Sequence, residues 1–393
     1  MKIIIHRGTH QIGGCITEIK TKQARIFIDM GAELPKSDVN STPSSNIKIE
    51  GVTAGIADCD AVFFTHYHGD HIGLISDVLS NIPLYMGGAA RDIFLTFYER
   101  MGGDNIGAIK NIIPFSANQP IQVKDIKITP FVVDHSAYDA YMFLIEANGK
   151  KILHTGDFRT HGFRGKGLIP TLKKYVGQVD VLITEGTTLS RKDNKVMTES
   201  KLQQNAKQLL QDNKYVFVLC SSTNIDRIAA FYSATPKGKY FICDKYQSDI
   251  LNIAKAYGEK YSSLYSFNKV LTFGNNLLPK LQKKGFCMIV RSNRAFKEIM
   301  NKFDKKDCLV IFSLWEGYLQ QNENDFSEIL NEFNWQPSHT SGHATKKAII
   351  DVCNTVKPQI GIVPIHSEAP TQLSNLQLPY PIKYLKDNEV FEL

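Results

Sequence analysis

The sequence predicts an α/β protein in which one layered domain is interrupted by another. Up to about residue 188, short β-rich runs at 15–19, 25–29, 61–65, 121–133 and 141–145 dominate, with few long helices. From about 195 to 330 the rhythm becomes strand then helix, as in 215–220 followed by 224–232 and 286–290 followed by 294–303. That alternation predicts βαβ units and a parallel sheet. A third observation joins the chain's ends. Ligand-type side chains of the first region find a complement at His366, so the first domain is discontinuous. The expected division is 1–190 and 333–393 for the outer domain and 191–332 for the insert.

Each element follows from local pattern. The N-terminus reads as a strand (Lys2-Ile3-Ile4-Ile5) with no signal peptide, and no 18-residue apolar run occurs. With 393 residues and 43% hydrophobic content, the chain can bury two cores. Seven cysteines are scattered without a Cys-x-x-Cys pair. They are expected to be reduced, mostly buried and uninvolved in metal binding, in a cytoplasmic protein with no membrane partner. A net charge of +7 permits a polyanionic substrate. Lys283, Lys284, Arg291, Arg294, Lys297, Lys302, Lys305 and Lys306 form either a groove that follows phosphates or a plain solvated face.

The run His66-Tyr67-His68-Gly69-Asp70-His71 follows an apolar stretch and places three imidazoles and a carboxylate in six positions. His66 and His68 alternate, so they leave an extended strand on one face. Gly69 is expected to allow a sharp turn, after which Asp70 and His71 point back. Imidazole and carboxylate suit zinc, and also manganese or iron. A turn with solvated histidines would explain one such residue but not four. Three further β-rich runs end in ligand types: His135 after Val132-Val133, Asp157 after His154-Thr155-Gly156, and His366 after Val363-Pro364-Ile365. Layered α/β folds carry their sites at such strand ends.

With these residues the chain resembles the metallo-β-lactamase fold superfamily, and within it the ribonuclease J-like β-CASP nucleases. The signature His-x-His-x-Asp-His is His66, His68, Asp70 and His71. His135, Asp157 in Thr-Gly-Asp-Phe, and His366 match the further ligands, and Asp29 matches the early acid that orients ligands. Glu185 in Thr184-Glu185-Gly186-Thr187 matches the β-CASP acidic motif, and His343 in Ser341-Gly342-His343-Ala344 the Ser-Gly-His-Ala motif. The segment 312–318 fits the inserted domain's last strand and turn. The resemblance covers nearly the whole chain. It departs from ribonuclease J at Ser367, where Gly is usual, and in length, from which the extra C-terminal domain of ribonuclease J is not expected here.

The resemblance implies a metallo-β-lactamase αββα sandwich with an inserted β-CASP α/β domain. It also implies two divalent transition-metal ions, zinc first and manganese second. His66, His68 and His135 would hold one ion and Asp70, His71 and His366 the other, with Asp157 bridging. The expected activity is a hydrolase that cleaves phosphodiester bonds through a metal-held hydroxide. His343 assists the leaving group, Glu185 orients it, and Ser341 and His343 contact the substrate phosphate. Catalytic roles thus fall to Asp70, His343 and Glu185. RNA is preferred to DNA because His366 stands at the last motif, and homodimer formation stays open. Two alternatives remain: a small-molecule hydrolase of the same fold (lactone or thioester), and a non-catalytic RNA-binding module. The inserted domain argues against the first and the full ligand set against the second. The second histidine, His68, also argues against a flavodiiron-type redox role.

Overall fold

A computed structural model describes residues 1–34, 47–102, 106–192, 196–320 and 326–393. The chain divides into two compact units: Met1–Thr160, Arg164–Asn194 and Gly342–Leu393 form the first, and His161–Phe163 with Lys195–Ser341 the second.

The first unit is built on two sheets. One runs in the order Val390–Glu392, Lys2–Arg7, Ile16–Lys20, Arg25–Ile28, Ala61–Phe63, Leu84–Gly87, Ile113–Phe115. The other runs Gly361–Ile365, Val181–Glu185, Lys150–His154, Ala140–Ala147, Ile126–Val133, Ile121–Val123. Alternation along Lys2–Arg7 sends Ile3 and Ile5 inward. There they join Ile26, Ile28 and Phe63 from the first sheet and Ile128, Phe143, Ile152 and Ile183 from the second in one buried core. The second sheet's other face is covered by the helix Lys346–Val356, through Ala348, Ile349, Val352 and Val356, together with Leu168 and Leu172. The helix Gly88–Arg100 packs beside Leu84–Gly87 and Ile113–Phe115. Truncating a core side chain such as Phe143 should cost about 3–5 kcal/mol.

The expected single run at 121–133 is two strands. The chain turns at Lys124, whose φ of +49° lies in the left-handed region, and Ile121–Val123 folds back on Ile126–Val133 as an antiparallel hairpin. Strand ends matter more for function. The strands Arg25–Ile28, Ala61–Phe63, Ile126–Val133, Lys150–His154, Val181–Glu185 and Gly361–Ile365 each deliver a predicted site residue at or just beyond the C-terminal end.

The second unit is a six-stranded, all-parallel sheet in the order Val270–Thr272, Tyr240–Cys243, Phe286–Val290, Tyr215–Leu219, Cys308–Phe312, Trp335–Pro337. Its central strands are buried along their whole length, as a sheet covered on both faces requires. Helices Glu199–Asp212, Ile225–Ala234, Lys245–Gly258 and Arg294–Met300 start on side-chain caps from Thr198, Asn224, Asp244 and Asn293. The sheet's last strand is Trp335–Pro337 rather than the segment 312–318. A three-residue strand of exposed residues leaves no apolar pattern to read.

Candidate metal centre

Asp29 anchors the site. It sits beyond Arg25–Ile28 with φ +63°, a conformation that Asp tolerates better than most residues. Its carboxylate accepts from Thr65 N at 2.7 Å and from Thr65 Oγ1 at 2.8 Å, and lies 2.8 Å from His71 Nδ1. That turns His71 Nε2 inward, 3.2 Å from Asp157 Oδ2. The turn after His68 is made without help from Gly69. A side chain there would meet open space, and Gly69 opens the short helix Gly69–Ile72 with an ordinary backbone. The indispensable glycine is Gly31, where a Cβ would stand 1.8 Å from the Asp70 carbonyl oxygen.

His66, His68 and His135 converge, with ligand atoms all within 4.8 Å of one another. His135 Nδ1 lies 2.7 Å from the Gly342 carbonyl, which fixes its ring, and its Nε2 lies 3.2 Å from His68 Nδ1. A second group comprises His66, His71 and Asp157, and a third Asp157, Glu185, His343 and His366. His366 Nε2 lies 3.1 Å from Asp70 Oδ2 and 3.7 Å from Asp157 Oδ2. Asp157 therefore stands between the two sets of imidazoles. His343 Nδ1 lies 3.2 Å from Glu185 Oε2 and 3.4 Å from Asp157 Oδ2. Glu185 is fixed in turn: its Oε1 accepts from Phe158 N at 2.8 Å and Ala344 N at 3.2 Å. Ser341 is the last residue of the second unit, and its carbonyl lies 2.8 Å from His161 Nε2.

The donor set fits metal ions. His66 Nε2 is buried and has no hydrogen-bond partner, a costly state for a polar atom unless something binds it. Burial pushes His66 and His135 well below the ordinary imidazole value and His68 down to about 4, so these rings keep lone pairs rather than protons. Burial would also lower His71, yet Asp157 and Asp29 hold it well above its ordinary value. Burial opposes ionisation of Asp70 and Asp157, yet His71 and His366 keep both well below the usual carboxylate range. A pocket negative enough to keep a proton on buried His71 would hold a cation. His343 behaves similarly: burial would lower it, but Glu185 and then Asp157 raise it to about 9.

Sequence reasoning missed several supporting residues. Thr187 Oγ1 lies 2.7 Å from His366 Nδ1 and 3.3 Å from His343 Nδ1. Arg159 Nε donates to Asp134 Oδ1 at 2.6 Å, tying the neighbour of His135 to the loop after Asp157. Cys15 reaches His71 and His366. Asp134, Arg159 and Thr187 all sit one or two residues from a predicted site residue, which is the signal that could have found them. Five of the eight clustered cations have acidic partners. Arg291, Arg294, Lys297, Lys305 and Lys306 pair with Asp244, Glu298, Glu328 and Glu332, Glu332, and Asp304 respectively.

Comparison with known proteins agrees with this geometry. Residues 25–219 match a family model described as a beta-lactamase superfamily domain. Residues 336–374 match one described as a Zn-dependent metallo-hydrolase RNA specificity domain. The chain is 25% identical to a ribonuclease J of Helicobacter pylori over 94% of its own length and 56% of the relative's. It is 22% identical to a ribonuclease J of Mycoplasma pneumoniae, over 93% of this chain and 68% of that one. The chain thus spans little more than half the length of the Helicobacter relative. A solved structure of a protein of unknown function from Enterococcus faecalis superposes over 100% of the chain with a TM-score of 0.78 at 19% identity, a likeness of fold. The family match and the side-chain groups that could hold a metal ion together support divalent-metal use, and no helix among the described residues is long and apolar enough to cross a membrane.

Proposed function

We propose, for a chain that belongs to the metallo-β-lactamase superfamily as a ribonuclease J-like member, that it is a ribonuclease that uses two divalent ions. The observation that carries this is the convergence of His66, His68, Asp70, His71, His135, Asp157 and His366, with His343 beside them on Glu185 and Asp157. The residues would hold one ion at His66, His68 and His135 and another at Asp70, His71 and His366, with Asp157 between. Zinc suits this set best and manganese next. Ions held there would supply Lewis acidity to a phosphoryl oxygen and lower the pKa of water.

The chain's own residues supply the rest. Asp29 orients His71, Thr187 orients His366, and the Gly342 carbonyl orients His135. His343 binds a non-bridging phosphate oxygen or passes a proton to the leaving 3′-oxygen. With Nδ1 facing Glu185, the ring atom for that transfer is Nε2. Glu185 keeps the ring in place while its other oxygen holds the backbone on both sides of the site.

The test uses the purified full chain, loaded with zinc or manganese, against labelled RNA and DNA and a panel of lactones and thioesters. RNA should be cleaved fastest. His343→Ala should keep its metal yet cleave RNA about 10²-fold more slowly, the usual scale for a lost proton-transfer group. Hydrolysis of bis-p-nitrophenyl phosphate, whose leaving group needs no acid, should fall less. If His343→Ala cleaves RNA like the parent, or a lactone or thioester is turned over in preference, the ribonuclease reading fails.

A further inference from the structure

Six of the seven cysteines are accounted for by packing or by a backbone carbonyl; the seventh lies against the metal centre. Cys15 is buried at 1% exposure, and its Sγ and one ring nitrogen each of His71 and His366 all lie within 4.8 Å of one another. Among the described residues it is the one cysteine in such a group. Bonds of about 2.3 Å from zinc to sulfur and about 2.0 Å from zinc to nitrogen span most of that separation.

The backbone puts the thiol there. Gly13 and Gly14, with φ of +81° and +67°, turn the chain into the strand Ile16–Lys20. Cys15 N donates to the Asp70 carbonyl at 3.0 Å, and the Cys15 carbonyl accepts from Gly31 N at 3.0 Å. The cysteine is thus pinned to the residue whose carboxylate meets His366. Gly8 makes the room. A Cβ at Gly8 would stand 3.3 Å from Cys15 Sγ, and the Gly8 carbonyl accepts from His366 N at 2.8 Å. A second observation points to a ligand at the same spot: buried His71 Nε2 faces only the Asp157 carboxylate, at 3.2 Å, and the adjoining His66 Nε2 is buried with no hydrogen-bond partner.

We propose that Cys15 Sγ is a ligand of the ion held by Asp70, His71 and His366, which makes that subsite thiolate-containing. This rests on the two-ion reading above. On binding, the Sγ–H bond breaks, its proton passes to solvent, and sulfur donates the electron pair to the ion. A thiolate biases this subsite towards zinc, cobalt and cadmium over manganese, whereas the subsite of His66, His68 and His135 carries imidazoles alone. The competing view is a small buried thiol that merely fills space.

The test is cobalt(II) substitution of the full chain, followed by absorption and metal counting. The parent should bind two cobalt ions and show a sulfur-to-cobalt charge-transfer band in the near ultraviolet. Cys15→Ser should lose that band and keep the visible cobalt bands. Its zinc affinity should fall by more than the roughly 10–100-fold that loss of an outer partner costs. Two bound cobalt ions with no such band in the parent, or a band that survives in Cys15→Ser, would overturn the assignment and leave the two-ion reading standing. A folded parent that binds no cobalt or zinc would overturn both. Should Cys15→Ser fail to fold, cadmium-113 resonance of the loaded parent decides the matter. A shift in the mixed sulfur–nitrogen range supports the ligand, and shifts confined to the nitrogen–oxygen range refute it.

Discussion

In the first unit Arg159 Nε meets Asp134 Oδ1 at 2.6 Å, and in the second Arg227 spreads over both oxygens of Glu199 at 2.9–3.1 Å; all four side chains are fully buried. Asp134 also accepts from Arg164 N at 2.7 Å, and Arg227 donates to Ser313 Oγ at 2.6 Å and the Thr340 carbonyl at 3.2 Å. Both are satisfied polar clusters of the kind that fix a backbone. The difference lies next to them in sequence. Asp134 precedes His135, and Arg159 follows Asp157 by two, so the first pair holds two residues of the candidate centre, where the neighbouring His66 Nε2 is buried without a hydrogen-bond partner. The second holds the closing segment of a parallel sheet. Chemistry sits where polar satisfaction stops short, and the closed Asp134–Arg159 cluster beside it keeps it so.

The hardest blow to this contrast is Asp157→Ala. Asp157 lies 3.2 Å from His71, 3.4 Å from His343 and 3.7 Å from His366. The variant should lose at least one ion and several kcal/mol of barrier reduction, ~10³-fold or more in hydrolysis. Elemental analysis and single-turnover RNA cleavage check it. Two retained ions with near-parent turnover would mean that the site is misassigned.

The two arginines give the most direct comparison. Arg159→Met and Arg227→Met each leave a buried carboxylate uncompensated, at a cost of about 3–5 kcal/mol in urea unfolding. Metal content should separate them: Arg159→Met should lose ions at concentrations where Arg227→Met keeps them. Equal loss would mean that the Asp134–Arg159 pair has no special hold on His135 and Asp157.

How far the sequence revealed this follows the same contrast. The run His66 to His71 was legible because six adjacent residues hold four donors, and His135, Asp157 and His366 because each ends an apolar strand. Cys15 was not: it reaches His71 across 56 positions, through a Gly-Gly turn whose direction only the packed sheets define. Gly69 misled, because a glycine beside a turn invites a conformational role that the close approach at Gly31 plays instead. The strand at Trp335–Pro337 escaped because it is short, exposed and without alternation. The basic cluster left two readings open, because the partners of Lys297 and Lys305, Glu328 and Glu332, lie far along the chain from them.

A smaller effect sharpens the picture away from both arginines. Glu18 lies 2.7 Å from His6 Nε2 and 2.8 Å from Arg25 Nε. Burial would raise its pKa, but His6 and Arg25 bring it from 4.5 down to about 2. Because the folded value is depressed, the stabilisation is present above 4.5 and is lost as pH falls towards 2. Its size is about 2 kcal/mol. Glu18→Gln should therefore be less stable than the parent at pH 7, and the gap should close by about pH 2. A gap unchanged between those limits would place Glu18's contribution in packing rather than charge.

The smallest expected effect concerns the second unit's surface. Lys297 lies 2.6 Å from Glu332 and 3.0 Å from Glu328, and Lys305 lies 2.7 Å from Glu332. A cation that must leave a carboxylate to reach a phosphate gains little by the exchange, since exposed pairs are worth only about 0–1 kcal/mol and the field around them is nearly neutral. Lys297→Ala and Lys305→Ala should change RNA affinity by less than about 2-fold and leave the slope of log affinity against log salt unaltered. Glu332→Gln frees Lys305 and leaves Lys297 only Glu328, so it should strengthen RNA binding slightly at low salt if this face lies near the path of the nucleic acid. A ~10-fold loss in Lys297→Ala, with the slope reduced by about one, would show that this lysine neutralises a phosphate. The second unit would then share in substrate binding through the residues that the ion pairs now assign to a solvated face.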